Sequence, residues 1–200
     1  MKIITADQRS PEWFAARLGV PSASQFSCVI TPTGKKSTQI DAYLNKMVAA
    51  ILTGQSEAPE QTDAMQRGIE LEAEARGYYE LIGGQVEEVG FFIHDDGFGC
   101  SPDGLVGADG LLEIKCPLAH THVEYLRENN LPAKYIPQVQ GQLLVTGRQW
   151  CDFLSYHPDM KPLLVRVERD EKFITTLHDA LKELVANIKE TVETIKNEYA

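Results

Sequence analysis

Residues 100–117 read CSPDGLVGADGLLEIKCP and set Glu113 and Lys115 inside a run, Leu111, Leu112, Ile114 and Cys116, whose other side chains prefer burial. In a strand, residues two apart share a face. Glu113 and Lys115 therefore point one way, and Leu112, Ile114 and Cys116 the other. A strand with one solvated face accounts for Glu-x-Lys by itself. Asp103 changes the balance. "SPDG" ends one strand and "GADG" turns the chain back, so pairing of the two strands brings Asp103 close to Glu113. Two adjacent carboxylates repel unless positive charge lies between them. Oxygen ligands without His or Cys suit Mg²⁺, with Mn²⁺ as a substitute, and the Ile114 carbonyl offers a further oxygen. Beside such an ion, Lys115 can orient and deprotonate water or stabilise charge on a phosphate.

A second acid comes from the helix expected at about residues 64–82. Gly68, Leu71, Glu72, Ala75, Tyr78, Tyr79 and Ile82 advance by three or four and form one stripe, in which Glu72 is the sole charge. Gln66, Glu70, Glu74 and Glu80 fall on a different, solvated face. Burying an acid is costly unless it is paired or bound to metal. Arg76, one turn on, is the ordinary partner; with Asp103 and Glu113 at hand, a third metal-site carboxylate is the favoured reading.

The rest of the chain forms the frame. "SPEWFAARLG" predicts a short helix capped by Ser10 with Pro11 at its first position, and "SASQFSCVI" another, with Ser22 as cap. Further helices are expected at about residues 39–52, in "HVEYLREN" and in "PQVQGQLLVTG". Strands are expected in "QVEEVGFFIH", "FGCSPDGLV", "LLEIKCP", "CDFLSYH" and "LLVRVER". A final amphipathic helix at about residues 171–198 carries Phe173, Leu177, Leu181, Leu184, Ile188 and Val192 on its core face. That order predicts an α/β chain with a central mixed β-sheet flanked by helices. With 200 residues and no linker, one domain over 1–200 is expected.

Bulk properties narrow the function. The net charge of −10 argues against a protein that coats nucleic acid through positive charge, but does not exclude an enzyme acting on nucleic acid, whose divalent-metal site itself needs carboxylates. Cys28, Cys100, Cys116 and Cys151 form no C-x-x-C pair and are expected as buried reduced thiols. No apolar run approaches a membrane span and the first residues carry no signal pattern, so a cytoplasmic protein is expected. "TPTGKKST" lacks the glycine and Lys-Ser/Thr placement of a phosphate loop, leaving Lys35 and Lys36 in an exposed loop. His120 and His122 do not share a helical face and make no metal pair. Asp95, Asp96 and Gly97 read as a hairpin turn, and Tyr135 as packing near the site.

"SPDG" followed by "LEIKCP" resembles the PD-(D/E)XK nuclease motif, in particular that of the phage lambda exonuclease (YqaJ-type recombinase) family. "WFAARLGVPSAS", "RGIELEAEAR", "YIPQVQGQLLVTG" and "VERDEKF" are similar to further blocks of that family, in the same order through almost the whole chain. The resemblance implies a restriction-endonuclease-like fold. It also implies that Asp103, Glu113 and the Ile114 carbonyl hold metal, that Glu72 orients a metal-bound water, and that Lys115 is the catalytic lysine. Gln138 matches the family's active-site glutamine, with Gln140 the other reading of that helix. Arg17, Ser24 and Ser101 match residues that bind a DNA 5′-phosphate, and Trp13 lies one turn before Arg17. One focused cation at a DNA end also answers the objection from net charge.

The activity so implied is Mg²⁺-dependent 5′-to-3′ digestion of one strand of linear duplex DNA to 5′-mononucleotides. The implied assembly is a homotrimer ring around double-stranded DNA ends, serving a single-strand annealing protein in a phage- or prophage-bearing bacterial cell. A sequence- or structure-specific endonuclease is the alternative on the same scaffold. A catalytically silent end-binding module is the rival outside the enzymes, and the Asp103, Glu113 and Lys115 set speaks against it.

Overall fold

The alternation in residues 111–116 is realised in the middle strand of a five-stranded sheet. The computed structural model describes residues 1–56 and 63–199. In chain order the elements are β1 (Lys2–Ile4), α1 (Pro11–Arg17), a 3-10 turn at Ala23–Cys28, α2 (Ile40–Thr53) and α3 (Asp63–Gly83). Then follow β2 (Val86–Glu87), β3 (Phe91–Ile93), β4 (Gly99–Cys100), β5 (Gly104–Val106), β6 (Gly110–Lys115) and α4 (Ala119–Glu128). A 3-10 turn at Ala133–Tyr135, α5 (Ile136–Thr146), β7 (Trp150–Ser155), β8 (Leu163–Glu168) and α6 (Glu171–Tyr199) complete the chain.

The large sheet has the order β2-β5-β6-β7-β8, with β6 and β7 parallel and the other neighbours antiparallel. A mixed sheet flanked by helices is thus the observed architecture. A second, three-stranded sheet, β1-β3-β4, accounts for a departure from the sequence reading. "QVEEVGFFIH" is not one strand but β2 and β3, and "FGCSPDGLV" is β4 and β5, each pair divided between the two sheets. Residues at the crossings explain the breaks. A Cβ on Gly90 would meet the Ile4 carbonyl oxygen at 2.2 Å, so only glycine admits the N-terminal segment there. Pro102, on the return crossing, has no N–H to give a ladder. β1 itself carries too short a pattern to read in sequence.

Helix α1 begins as expected: Ser10 caps the Trp13 N–H and Pro11 follows. "SASQFSC" forms a 3-10 turn rather than an α-helix, and Ser22 makes no side-chain cap bond. The α6 stripe from Phe173 to Val192 is buried throughout, against Phe26, Tyr43, Val48 and Phe98. At about 1.5–3 kcal/mol per large apolar side chain, this face is a principal source of stability.

The two faces of β6 meet different helices. Leu112 and Ile114 pack with Ala75 and Tyr79 of α3, while Leu111 packs with Val139 and Leu143 of α5. By alternation Glu113 shares the Leu111 side and faces α5. On α3, Ala75 and Tyr79 are buried as expected, whereas Ile82 at the end of the stripe is 56% exposed. Cys100 and Cys151 are buried; Cys28 and Cys116 are only partly so, and all four are free.

Candidate active site

Strands β5 and β6 pair with Gly104 opposite Leu112, and the Asp103 N–H donates to the Leu112 carbonyl at 3.0 Å. This register carries Asp103 to the charged end of β6, where the Ile114 N–H donates to its Oδ2 at 2.6 Å. Burial raises the Asp103 pKa well above the usual carboxylate range, and the neighbouring Glu113 charge raises it further; Glu72 adds a smaller push. Among the described residues, Asp103 Oδ1 has no hydrogen-bond partner.

Glu113 is 1% exposed, and three donors converge on it. Lys115 Nζ lies 2.5 Å from Oε1, Gln138 Nε2 donates to the same oxygen at 2.5 Å, and Gln142 Nε2 donates to Oε2 at 2.6 Å. Burial lowers the Lys115 pKa, but Glu113 and Asp103 outweigh it and raise the ammonium above its ordinary value. Lys115 is therefore a cation in this state, 5.3 Å from the Tyr135 ring centroid.

Both glutamines stand on α5, which starts at Ile136 and so admits Pro137 in its first turn. Positions 138 and 142 are four apart and share the face toward β6. Gln140 points elsewhere: its amide donates to the Glu168 carbonyl and accepts from the Asp170 N–H. Between Gln138 and Gln140, it is Gln138 that reaches the carboxylate. Gln142 escaped the sequence reading, although its spacing from Gln138 was a usable signal. Its Oε1 is buried without a hydrogen-bond partner, a cost of about 1–3 kcal/mol. Turning the amide to relieve that atom would withdraw the donor from Glu113.

Glu72 corrects the expectation of three acids converging on one point. Its Oε1 accepts from Arg76 at 3.0 Å and its Oε2 from Arg9, and Arg76 also pairs with Glu88 at 2.8 Å. The oxygens of Glu72, Asp103 and Glu113 do not close to within 4.8 Å of one another. The physical reason is the alternation of β6: α3 covers the Leu112 and Ile114 side, while Glu113 faces α5. Asp103 and Glu113 are coupled through their charges, and Glu72, near enough to push the Asp103 pKa up, is clamped by two arginines.

The residues around Asp103 and Glu113 fit a small hard cation. The donors are carboxylate oxygens, one oxygen of Asp103 is free, and the like charges that raise Asp103 are those a divalent ion would relieve.

A second constellation lies alongside. The Arg17 guanidinium sits 3.9 Å over the Trp13 ring and 5.2 Å from the Phe91 ring, and donates to Ser22 Oγ at 3.2 Å. Ser22 Oγ lies 3.3 Å from Ser24 Oγ. Burial lowers the Arg17 pKa, and no carboxylate pairs with it among the described residues. A half-buried cation without a counter-ion is suited to an anion. The Trp13 indole donates to Ser101 Oγ at 2.9 Å, and that hydroxyl in turn donates to the Gly90 carbonyl. Ser101 thereby places Trp13, its own proton already committed, while Ser22, read from the sequence only as a helix cap, joins Ser24. A cavity of about 210 Å³ is lined by Ala23, Ser24, Ser27, Lys134, Tyr135 and Gln138, so it touches Ser24 of this group and Gln138 of the other. A larger one of about 350 Å³, beside Leu131, Val165 and Gln140, contains none of these groups.

The remaining polar features are structural. His122 is buried, with Ser155 Oγ at 2.8 Å and the Lys161 carbonyl at 3.0 Å. Lys36 bridges to Ile30 across its loop and pairs with Glu183 at 3.7 Å. Among the described residues, no helix is long and apolar enough to cross a membrane.

A mixed sheet bearing Asp…Glu-x-Lys on paired strands defines a nuclease of the PD-(D/E)XK type. Residues 12–149 match the YqaJ-like viral recombinase domain, and the chain belongs to that family. Two crystal structures of LHK-Exo, an alkaline exonuclease from Laribacter hongkongensis, are similar over 94% of this chain and 97% of theirs. The one in complex with dAMP is 39% identical with a TM-score of 0.86; the other is 41% identical with a TM-score of 0.87. A phage-related exonuclease from Haemophilus somnus shares the fold at 14% identity and a TM-score of 0.70, over 88% of this chain and 96% of that one. A comparison with curated proteins gives no match.

Proposed function

We propose that this nuclease is a Mg²⁺-dependent exonuclease that shortens one strand of linear double-stranded DNA from its 5′ end. It releases 5′-mononucleotides and leaves a 3′ single strand for a strand-annealing protein. The observation that carries the reading is the Arg17 cation without a carboxylate partner, in a chain whose Glu113 is held by Lys115 and Gln138, with Ser24 and Gln138 lining one cavity. In this reading Arg17, with Ser24 near it through Ser22, takes the 5′-phosphate and Glu113 serves the first phosphodiester. The dAMP in the Laribacter hongkongensis complex is a nucleotide of the expected product class. Family likeness supports a homotrimer ring around the duplex.

Asp103 and Glu113, with the Ile114 carbonyl, would hold Mg²⁺ or Mn²⁺, which when bound would supply a Lewis acid for the phosphate and lower the pKa of a water. The protein's own groups do the rest. Lys115, held charged by its carboxylate neighbours, balances the negative charge that develops on the phosphate oxygens. Gln138 and Gln142 fix the Glu113 carboxylate so that its oxygens cannot rotate. Glu72 is held by Arg9 and Arg76 in this structure, and the family's role for it, orienting a water, would require its release from Arg9.

The test compares linear duplexes ending in 5′-phosphate or 5′-hydroxyl with a closed circle, each with and without Mg²⁺. Fast Mg²⁺-dependent release of mononucleotides from the phosphorylated linear duplex, with the circle intact, is expected. Nicking of the circle would make the protein an endonuclease; equal rates on both ends would remove the phosphate role of Arg17.

A further inference from the structure

At the far end of the β3–β4 hairpin from Asp103, His94 and Asp96 meet His178 of α6. His94 Nδ1, Asp96 Oδ2 and His178 Nε2 lie within 4.8 Å of one another, the sole such group of three His, Cys, Asp or Glu side chains among the described residues. His178 Nε2 is 2.7 Å and His94 Nδ1 3.4 Å from Asp96 Oδ2. A tetrahedral zinc with bonds of about 2.0–2.1 Å spaces its ligand atoms about 3.3 Å apart.

An ion pair explains only half of this arrangement. His178 and Asp96 make a satisfactory pair without His94. His94 Nδ1 accepts the Asp96 N–H at 3.2 Å, so it carries a lone pair and no proton, and a metal ion would take that lone pair in place of the N–H. Two acceptors 3.4 Å apart repel, and a cation between them reverses the sign. The rings are also held in place. His94 stacks on Phe98 at 4.6 Å and 6°, and His178 meets the same fully buried Phe98 edge-on at 5.8 Å. Gly97, at φ +91°, closes the turn that brings His94 and Asp96 together.

The geometry points to a second metal site: His94, Asp96 and His178 bind one divalent transition metal of the zinc class, distinct in ligand chemistry from the all-oxygen catalytic centre. Imidazole nitrogen selects zinc, cobalt or nickel over Mg²⁺. The ion joins residues 82 or more positions apart, fastening α6 to the hairpin whose second strand leads into Ser101 and Asp103. Its role is structural.

The experiment uses full-length, metal-free protein without a histidine tag, titrated with Zn²⁺ by calorimetry and with Co²⁺ by visible absorption. An Asp103→Asn background separates the site from the catalytic carboxylates. One Zn²⁺ per chain is expected in that background, with a raised melting temperature. His94→Gln and His178→Gln should each weaken it by more than about a hundredfold, beyond the 10–100-fold loss that follows removal of an outer partner. Asp96→Asn, nearly isosteric, gives the same answer if either histidine variant fails to fold. Zinc affinity unchanged in Asp96→Asn, or zinc binding that disappears in Asp103→Asn alone, overturns the assignment.

Discussion

Gln142 donates its amide to Glu113 Oε2 across 2.6 Å while its own carbonyl oxygen stays buried and unpaired. The side chain is thus held for Glu113 at the expense of its own hydrogen bonding. Gln142→Leu removes both the donor and the orphan acceptor. Cleavage should fall at least tenfold, while urea unfolding shifts by no more than about 1–3 kcal/mol, since Glu113 loses one of three donors. Cleavage at the wild-type rate would show that Gln138 and Lys115 alone hold the carboxylate.

Lys115→Ala should abolish nucleotide release and leave binding of a 5′-phosphorylated end intact, measured by fluorescence anisotropy with Ca²⁺ in place of Mg²⁺. Some stability is lost as well, because Glu113 is almost wholly buried and its cation is gone. Digestion undiminished in this variant would sink the catalytic role of the lysine.

Asp103→Asn should stabilise the metal-free protein at neutral pH while eliminating cleavage. The sign follows from the raised carboxyl pKa. An unfolded Asp ionises near about 3.9, so above that pH the folded chain bears a cost that grows until the folded group also ionises. Stability from the protonated form is present at low pH and is lost as pH rises through the folded pKa. The variant's thermal midpoint should therefore vary less with pH, and Mg²⁺ should raise it less than it raises the wild type.

Arg17→Ala should equalise the rates on 5′-phosphate and 5′-hydroxyl ends without a large loss of stability, because no carboxylate is left unpaired. A preference for phosphate that persists would place end recognition elsewhere, with Lys134, which lines the cavity beside Ser24, the next residue to change.

Glu72→Gln tests the clamped acid. Its partner Arg9 is exposed and its partner Arg76 also pairs with Glu88, so the loss of stability should be about 1 kcal/mol or less. Cleavage should fall at least tenfold if Glu72 leaves Arg9 to serve the centre. Unchanged cleavage makes Glu72 a strut between α3 and the N-terminal segment.

Strong local patterns were legible in the sequence. The β5–β6 pairing followed from a turn and an alternation, and α6 from a stripe of six apolar residues. Arg17 and Trp13 came out as neighbours because i,i+4 spacing makes them so. Contacts between distant segments were not legible. Arg9 on Glu72 joins residues 63 apart, and nothing near "EARG" announces that an arginine of the N-terminal loop will close over the acid. The division of two apparent strands between two sheets depended on Ile4 and Ala6 reaching Gly90, another long-range approach. Gln142 sat between these cases: its spacing was visible, but only the position of α5 over β6 gives that spacing a meaning.

Arg17 rests on Trp13, Trp13 on Ser101, and Asp103 follows two residues later at the passage between the sheets. On the proposed reading, end recognition and the metal centre are thus yoked through the short segment Ser101–Asp103, and lengthening it by a single residue should uncouple the preference for a 5′-phosphate from cleavage.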